Sequence, residues 1–185
     1  MNHLKINKIP EELCNLSQWV VWSLVDRGGK KTKLPFDPVS GKPASPTDPQ
    51  TWQAFDDALR ACERDGYSGL GFVFSEDDPY CGIDLDHVRN PETGQFEPWA
   101  RELIKRLDSY SELSPSGTGA HIIVRAKVPG TRRRKSDIEI YDAARYFCMT
   151  GERLEGMPRT VEERQAVLSE IHGDFFGKDE SNSPV

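Results

Sequence analysis

Runs of β-branched and aromatic residues alternate with polar punctuation along this chain, and two hydrophobic periods can be told apart. Residues 18–25, QWVVWSLV, have strand composition, and Asp26-Arg27-Gly28-Gly29 after them predicts a turn into a returning strand over 30–36. A loop rich in proline and glycine follows, from Pro35 to Pro46. Thr47 or Asp48, just before Pro49, predicts a helix start, and Phe55, Ala58, Leu59 and Cys62 recur at helical spacing up to Gly66. GLGFVF (69–74) and YCGIDLDHV (80–88) predict two more strands. Ala100, Leu103, Ile104 and Leu107 form the apolar stripe of a second helix. A short strand over 109–113, the turn SPSGTG (114–119) and the strand AHIIVRA (120–126) come next. Residues 138–141 and 146–150 predict one further strand pair, joined by Asp142-Ala143-Ala144. A last helix over 159–172 turns Val161, Leu168 and Ile171 inward, and the polar stretch 177–185 is expected to be a disordered tail or linker. This order is that of an α+β domain spanning 1–176.

Within the strands, a few polar residues stand out against the alternation. Successive strand side chains point to opposite faces, so Asp84 and Asp86 share one face while Ile83 and Leu85 share the other. Carboxylates inside an otherwise apolar strand are rare unless paired or bound to metal. By the same alternation His121 shares a face with Ile123 and Arg125, at the start of a strand that leaves the Ser114–Gly119 turn. Exposed N–H groups and hydroxyls of such a turn can hold phosphate oxygens. Ile138 and Ile140 must face the core, which sets Glu139 on the opposite side in mid-strand. His87 falls on the Leu85 side and reads as structural. Trp19, Trp22 and Trp52 read as core residues rather than base-stacking platforms.

Composition narrows the class. The 185 residues are 36% hydrophobic with a formal net charge of −6, which describes a polar globular chain. No apolar run approaches the roughly 18 residues of a membrane span, and the N-terminus lacks the apolar core of a signal peptide. Cys14, Cys62, Cys81 and Cys148 are scattered without a Cys-x-x-Cys pair, so no zinc knuckle or redox motif is indicated, and a reducing cytoplasm is expected. Against the acidic total, residues 125–135 carry Arg125, Lys127, Arg132, Arg133, Arg134 and Lys135 with no acid among them, and Arg27, Lys30, Lys31 and Lys33 form a second basic cluster. Such local patches can hold phosphates on an acidic protein.

Three motifs in this order, GIDLDH, SPSGTGAHIIV and DIEIYDAARYFCMTG, resemble the primase-polymerase (prim-pol) domains of the archaeo-eukaryotic primase superfamily, in the phage and integrated-plasmid branch. QWVVW, KTKLPFDPVSGKPAS and GLGFVF add to the likeness, which covers about residues 13–155. No zinc-binding cysteine cluster of the kind some relatives carry is present. The resemblance implies an RRM-like prim-pol core, with a mixed or antiparallel sheet flanked by helices, and template-directed nucleotidyl transfer to a primer 3′-hydroxyl. It implies two divalent cations, Mg²⁺ or Mn²⁺, held by Asp84, Asp86 and Glu139. His121 would meet the triphosphate of an NTP or dNTP, assisted by Ser114, Ser116, Gly117, Arg145 and Lys33. Arg132, Arg133 and Arg134 are expected on the backbone of a single-stranded or primed DNA template. A helicase, as partner or as a further domain of a longer protein, and a bacterial or phage-infected cytoplasm complete the expectation. A non-catalytic nucleotide- or DNA-binding module and a two-metal nuclease stand as alternatives; intact acids speak against the first, and the Ser-Gly turn has no evident task in the second.

Overall fold

The computed structural model describes residues 8–177. A short helix α1 (Glu11–Cys14) leads into β1 (Trp19–Arg27), which turns back through β2 (Lys30–Phe36) in the expected antiparallel hairpin. Then come α2 (Phe55–Asp65), β3 (Gly69–Phe74), β4 (Tyr80–Leu85), α3 (Pro98–Leu107), β5 (Ser111–Leu113), β6 (Ala120–Arg125), β7 (Arg134–Lys135), β8 (Ile138–Tyr141), β9 (Arg145–Met149) and α4 (Gln165–Phe176). Among the described residues the strands form two antiparallel sheets, ordered β2-β1-β3-β9 and β5-β6-β4-β8-β7. The α+β expectation, with antiparallel sheet and flanking helices, is borne out.

The two faces of β4 account for the layering. Cys81, Ile83 and Leu85 pack with Ile122, Val124, Ile138 and Ile140 against Leu103 and Leu107 of α3 and Leu168 and Ile171 of α4. Tyr80, on the opposite face, joins Phe72, Phe74 and Phe147 of the first sheet and Ile123 of β6. The second sheet is thus buried on both faces, with helices on one side and the first sheet on the other. Gly82 lies on the inter-sheet side, where a Cβ would come within 2.5 Å of the Phe74 and Phe147 rings. Only a bare backbone lets those rings close over β4. The same inter-sheet face carries Asp84 two residues further on, so the acid lies where the apolar sandwich ends. Trp19, Trp22 and Trp52 are all buried, as core residues should be.

Several elements differ from expectation, each for a visible reason. The two strands 138–141 and 146–150 do not pair with each other: β8 adds to β4, whereas β9 adds to β3 in the other sheet. The link between them is anchored by Asp142, whose carboxylate accepts the Val128 N–H at 2.9 Å, and Ala144 turns the chain with φ of 54°. Strand β4 ends at Leu85, not Val88, because Asp86 donates its N–H to the Asp137 carbonyl and His87 adopts φ of 54°. His87 is consequently exposed at a turn, 3.7 Å from Asp137, and not on the Leu85 face. Asp48 caps only a 3₁₀ turn, Pro49–Thr51; helix α2 starts at Phe55 because residue 53 is held extended by reciprocal backbone bonds with Trp19. The last helix begins at Gln165 because Arg125 donates its N–H to the Glu162 carbonyl and accepts from the Arg164 N–H, holding Glu163 alongside β6. Residues 178–185 of the expected tail lie outside the described residues.

Candidate active site

Strand register assembles the site. Asp84 on β4 lies opposite His121 on β6 and opposite Glu139 on β8. One strand outward on each side, Glu112 on β5 faces His121, and Arg134 on β7 faces Glu139. Directly opposed residues present their side chains on the same face, so Glu112, His121, Asp84, Glu139 and Arg134 form one ionisable row across five strands. The row lies on the inter-sheet face, where β9 and β2 of the first sheet supply its other wall.

That wall bounds a cleft of about 300 Å³ lined by Lys33, Pro46, Asp84, His121 and residues 144–148. Three residues expected at the triphosphate, Lys33, His121 and Arg145, thus line the same cleft as Asp84. The sheet crossing between β8 and β9 has a direct consequence here: it brings Arg145 back over the row, where its guanidinium donates to Glu139 Oε2 at 2.9 Å. Arg134 meets the other oxygen, Oε1, at 3.1 Å, and the Tyr141 hydroxyl donates to Oε2 beside Arg145 at 2.9 Å. Glu139 is buried yet well compensated. Asp84 is not. Its Oδ1 is buried without a hydrogen-bond partner, 3.6 Å from His121 Nε2.

The uncompensated carboxylate has an electrostatic signature. Burial pushes the Asp84 pKa up, His121 pulls it down, the like charges of Asp86 and Glu139 push it up further, and Lys33 opposes them. The native state therefore holds this proton more tightly than the unfolded chain. The resulting stability is fully present below the ordinary value of 3.8 and is lost as pH rises through the raised native pKa. We expect Asp84→Asn to remove that loss and, above pH 7, to raise Tm by about 2–4 °C, the equivalent of about 1 kcal/mol. Thermal unfolding of both proteins from pH 5 to 8 checks this; a less stable Asn variant at pH 8 would contradict it.

The donor set suits a hard divalent cation. Carboxylate oxygens are the preferred ligands, one of them lacks a partner, and mutually repelling acids are relieved by a positive ion. Asp86 follows the strand end and is half-buried. Among the described residues no three His, Cys, Asp or Glu side chains are gathered tightly enough to enclose a cation by themselves. Mg²⁺ commonly takes one or two carboxylates and shares the rest of its shell with phosphates and water.

Other expected residues are placed differently. The Ser-Gly turn does not line the cleft. Its hydroxyls form a chain, Ser114 to Ser116 at 3.0 Å and Ser116 to Thr118 at 2.9 Å, and the Gly117 carbonyl accepts from Arg89 at 2.8 Å. Arg132 donates to the Phe176 carbonyl, and Arg133 donates to the Gly130 carbonyl beside Asp142. Arg134 carries its ion pair to Glu139 while remaining 68% exposed. Glu112 and Arg89 were not anticipated. Glu112 lies in a short strand, 111–113, whose sequence shows no alternation long enough to assign it a face.

No family model matches the chain. It is 39% identical over 174 residues, 90% of its length, to a protein of Nitratiruptor phage NrS-1 named DNA primase-polymerase. The chain spans 24% of that relative, about a quarter of its length. The likeness to phage prim-pol domains read from the three motifs is thereby borne out.

Proposed function

We propose that this homologue of a phage DNA primase-polymerase is a nucleotidyl-transfer domain, one that joins a nucleoside triphosphate to a primer 3′-hydroxyl on a DNA template. The observation that carries the reading is the cleft, in which the cationic Lys33 and Arg145 stand with His121 around an unpartnered aspartate oxygen. A cavity near 300 Å³ is at the lower end of those that hold small ligands. Positive groups on one wall and carboxylates on the other suit a ligand that is itself anionic and brings cations.

Asp84 and Asp86 would hold the divalent ions, with Glu139 as a third ligand once its arginine partners turn to the incoming phosphates. Bound there, such ions lower the charge barrier at the transferred phosphorus and favour the deprotonated primer hydroxyl. Lys33 and Arg145 draw the triphosphate into the cleft; Arg145, as a planar donor, can span two of its oxygens. His121, stacked on Phe147 with ring centroids 4.7 Å apart, presents a rigid edge to the same ligand. The adjoining turn acts at a distance from the ligand: the Ser114 N–H donates to the Gly119 carbonyl at 3.1 Å and holds the start of β6. We expect Lys33→Ala and Arg145→Ala each to raise the KM for dNTP by about tenfold, with a smaller change in kcat, because a charge-assisted contact contributes about 1.5–3 kcal/mol. Steady-state primer extension measures both constants.

DNA would run over the basic loop of Arg132, Arg133 and Arg134. Since Arg132 and Arg133 already serve backbone carbonyls, replacing all three by Ala should reduce the slope of log K against log salt by about 1–2, not the full 3 of free phosphate contacts. Fluorescence anisotropy at several salt concentrations reads the slope, and an unchanged slope removes this surface from the interface. Within this reading residues 1–176 form the catalytic unit, a helicase is the expected partner, and the site of action is the cytoplasm of the infected cell. The deciding experiment is extension of a primed template with labelled dNTP and Mn²⁺ or Mg²⁺. Lengthened product supports transfer, shortened primer supports a nuclease, and nucleotide binding without either supports a non-catalytic module.

A further inference from the structure

Glu112 is the most deeply buried acid among the described residues, with 0% exposure. A carboxylate that leaves water so completely must be compensated by hydrogen bonds or charge. Thr150 donates its N–H to Oε1 at 2.9 Å, Gly151 donates its N–H to Oε2 at 2.8 Å, and the Tyr110 hydroxyl donates to Oε2 at 2.6 Å. Two backbone amides and a buried phenol thus fix both oxygens in place. So held, Oε1 stands 3.6 Å from His121 Nδ1, an atom that is itself buried and lacks a hydrogen-bond partner. Stacking on Phe147 keeps the His121 ring from turning freely. Its other nitrogen, Nε2, points toward Asp84 at the cleft.

We propose that Glu112 is a positioning residue for His121. Both Glu112 oxygens accept from these fixed donors, so Oε1 offers Nδ1 an acceptor and the hydrogen of the neutral ring belongs on Nδ1. Nδ1 is then committed to Glu112, and Nε2 is the atom that donates to a bound triphosphate when the ring carries both hydrogens. The separation of 3.6 Å is a few tenths of an ångström beyond a hydrogen bond. Contacts of this kind tighten when the ligand arrives. Anchoring the backbone at 150–151 alone would not require the charge to be aimed at an imidazole. The inference rests on the nucleotide reading of the cleft for its consequence, but not for its geometry.

Two measurements test it. Long-range proton–nitrogen NMR on the wild-type protein without ligand, with His121 assigned by its loss in His121→Gln, is expected to show hydrogen on Nδ1. An Nδ1 without hydrogen overturns the proposal, whether or not the protein binds nucleotide. Calorimetric titration with dATP and Mg²⁺ supplies the consequence. Glu112→Gln should weaken dATP binding by about tenfold, as loss of a charge-assisted bond implies. In a His121→Ala background the same change should cost less than about twofold, because coupled residues do not add. Equal losses in both backgrounds would mean that Glu112 acts through the 150–151 backbone and would overturn the proposal. If Glu112→Gln does not fold, Glu112→Asp, which keeps the charge but draws it back by one methylene, takes its place in the same cycle. Failure of wild-type dATP binding would overturn the nucleotide reading alone, with the NMR result still deciding the positioning.

Discussion

Asp84→Ala combined with Asp86→Ala is expected to abolish primer extension, lowering the rate by about 10³-fold or more. Cation-assisted charge stabilisation contributes several kcal/mol to transfer at phosphorus, and each 1.36 kcal/mol is a factor of about ten. Both ligands that do not depend on arginine exchange are lost at once, so Glu139 cannot hold an ion alone. Dispersion of the fold is not the expected cause. Asp84 is a carboxylate whose burial and like-charged neighbours raise its pKa, so removing it relieves the native state of an ill-solvated charge. Circular dichroism should therefore be unchanged, and Mn²⁺ should raise the Tm of the wild type but not of the double variant. Extension that survives the substitution would refute the proposed mechanism. An inactive variant that has also unfolded would refute the electrostatic account of Asp84.

Gly119→Ala should lower the free energy of unfolding by about 3 kcal/mol and impair catalysis at a residue that touches no substrate. A Cβ at Gly119 would overlap the Leu85 carbonyl oxygen, well inside van der Waals contact, and would meet Ser114 Oγ at 3.2 Å. A backbone oxygen cannot swing aside as a long side chain can, and such overpacking costs about 1–3 kcal/mol or more. Leu85 separates Asp84 from Asp86, and it pairs with Ala120 and Ile138. Any shift of its carbonyl moves both acids relative to His121 and Glu139. Gly117→Ala is the matched comparison. Gly117 has φ of 72° with open space around it, so its cost is the roughly 1 kcal/mol of a left-handed residue and should leave activity largely intact. Urea unfolding and extension assays on the two variants separate steric displacement from backbone strain. Equal effects would show that the close approach at Gly119 does not position the acids.

These effects share one origin. The site is a single row across the second sheet, closed by a wall from the first. The row is charged where it meets the cleft and apolar further along the same face, at Tyr80, Gly82 and Ile123. A functional pocket and a hydrophobic core are therefore two ends of one inter-sheet space. Arg145 and Glu139 illustrate the coupling: their 2.9 Å pair joins β9 of one sheet to β8 of the other. A phosphate that attracts Arg145 acts on the sheet contact as well as on the carboxylate.

Much of this was determined by sequence alone. Period-two alternation is a local property, and it set Asp84, His121 and Glu139 on the faces opposite Ile83, Ile122 and Ile138 before any pairing was known. The order of the three motifs carried the family resemblance, and the relative from a phage agrees with it. The tertiary structure decided what alternation cannot. Register between strands, set by backbone pairing at long range, put Asp84 opposite both His121 and Glu139. Edge availability sent 138–141 and 145–149 to different sheets, although a three-residue link looks like a hairpin, and so carried Arg145 over the row. Glu112 could not be found from its own neighbourhood. A three-residue strand has no readable period, and the residue's significance comes from burial against His121, Thr150 and Gly151, positions 9 to 39 residues away along the chain. Local sequence dictates which way a side chain points; only the packing of distant strands dictates what it meets there.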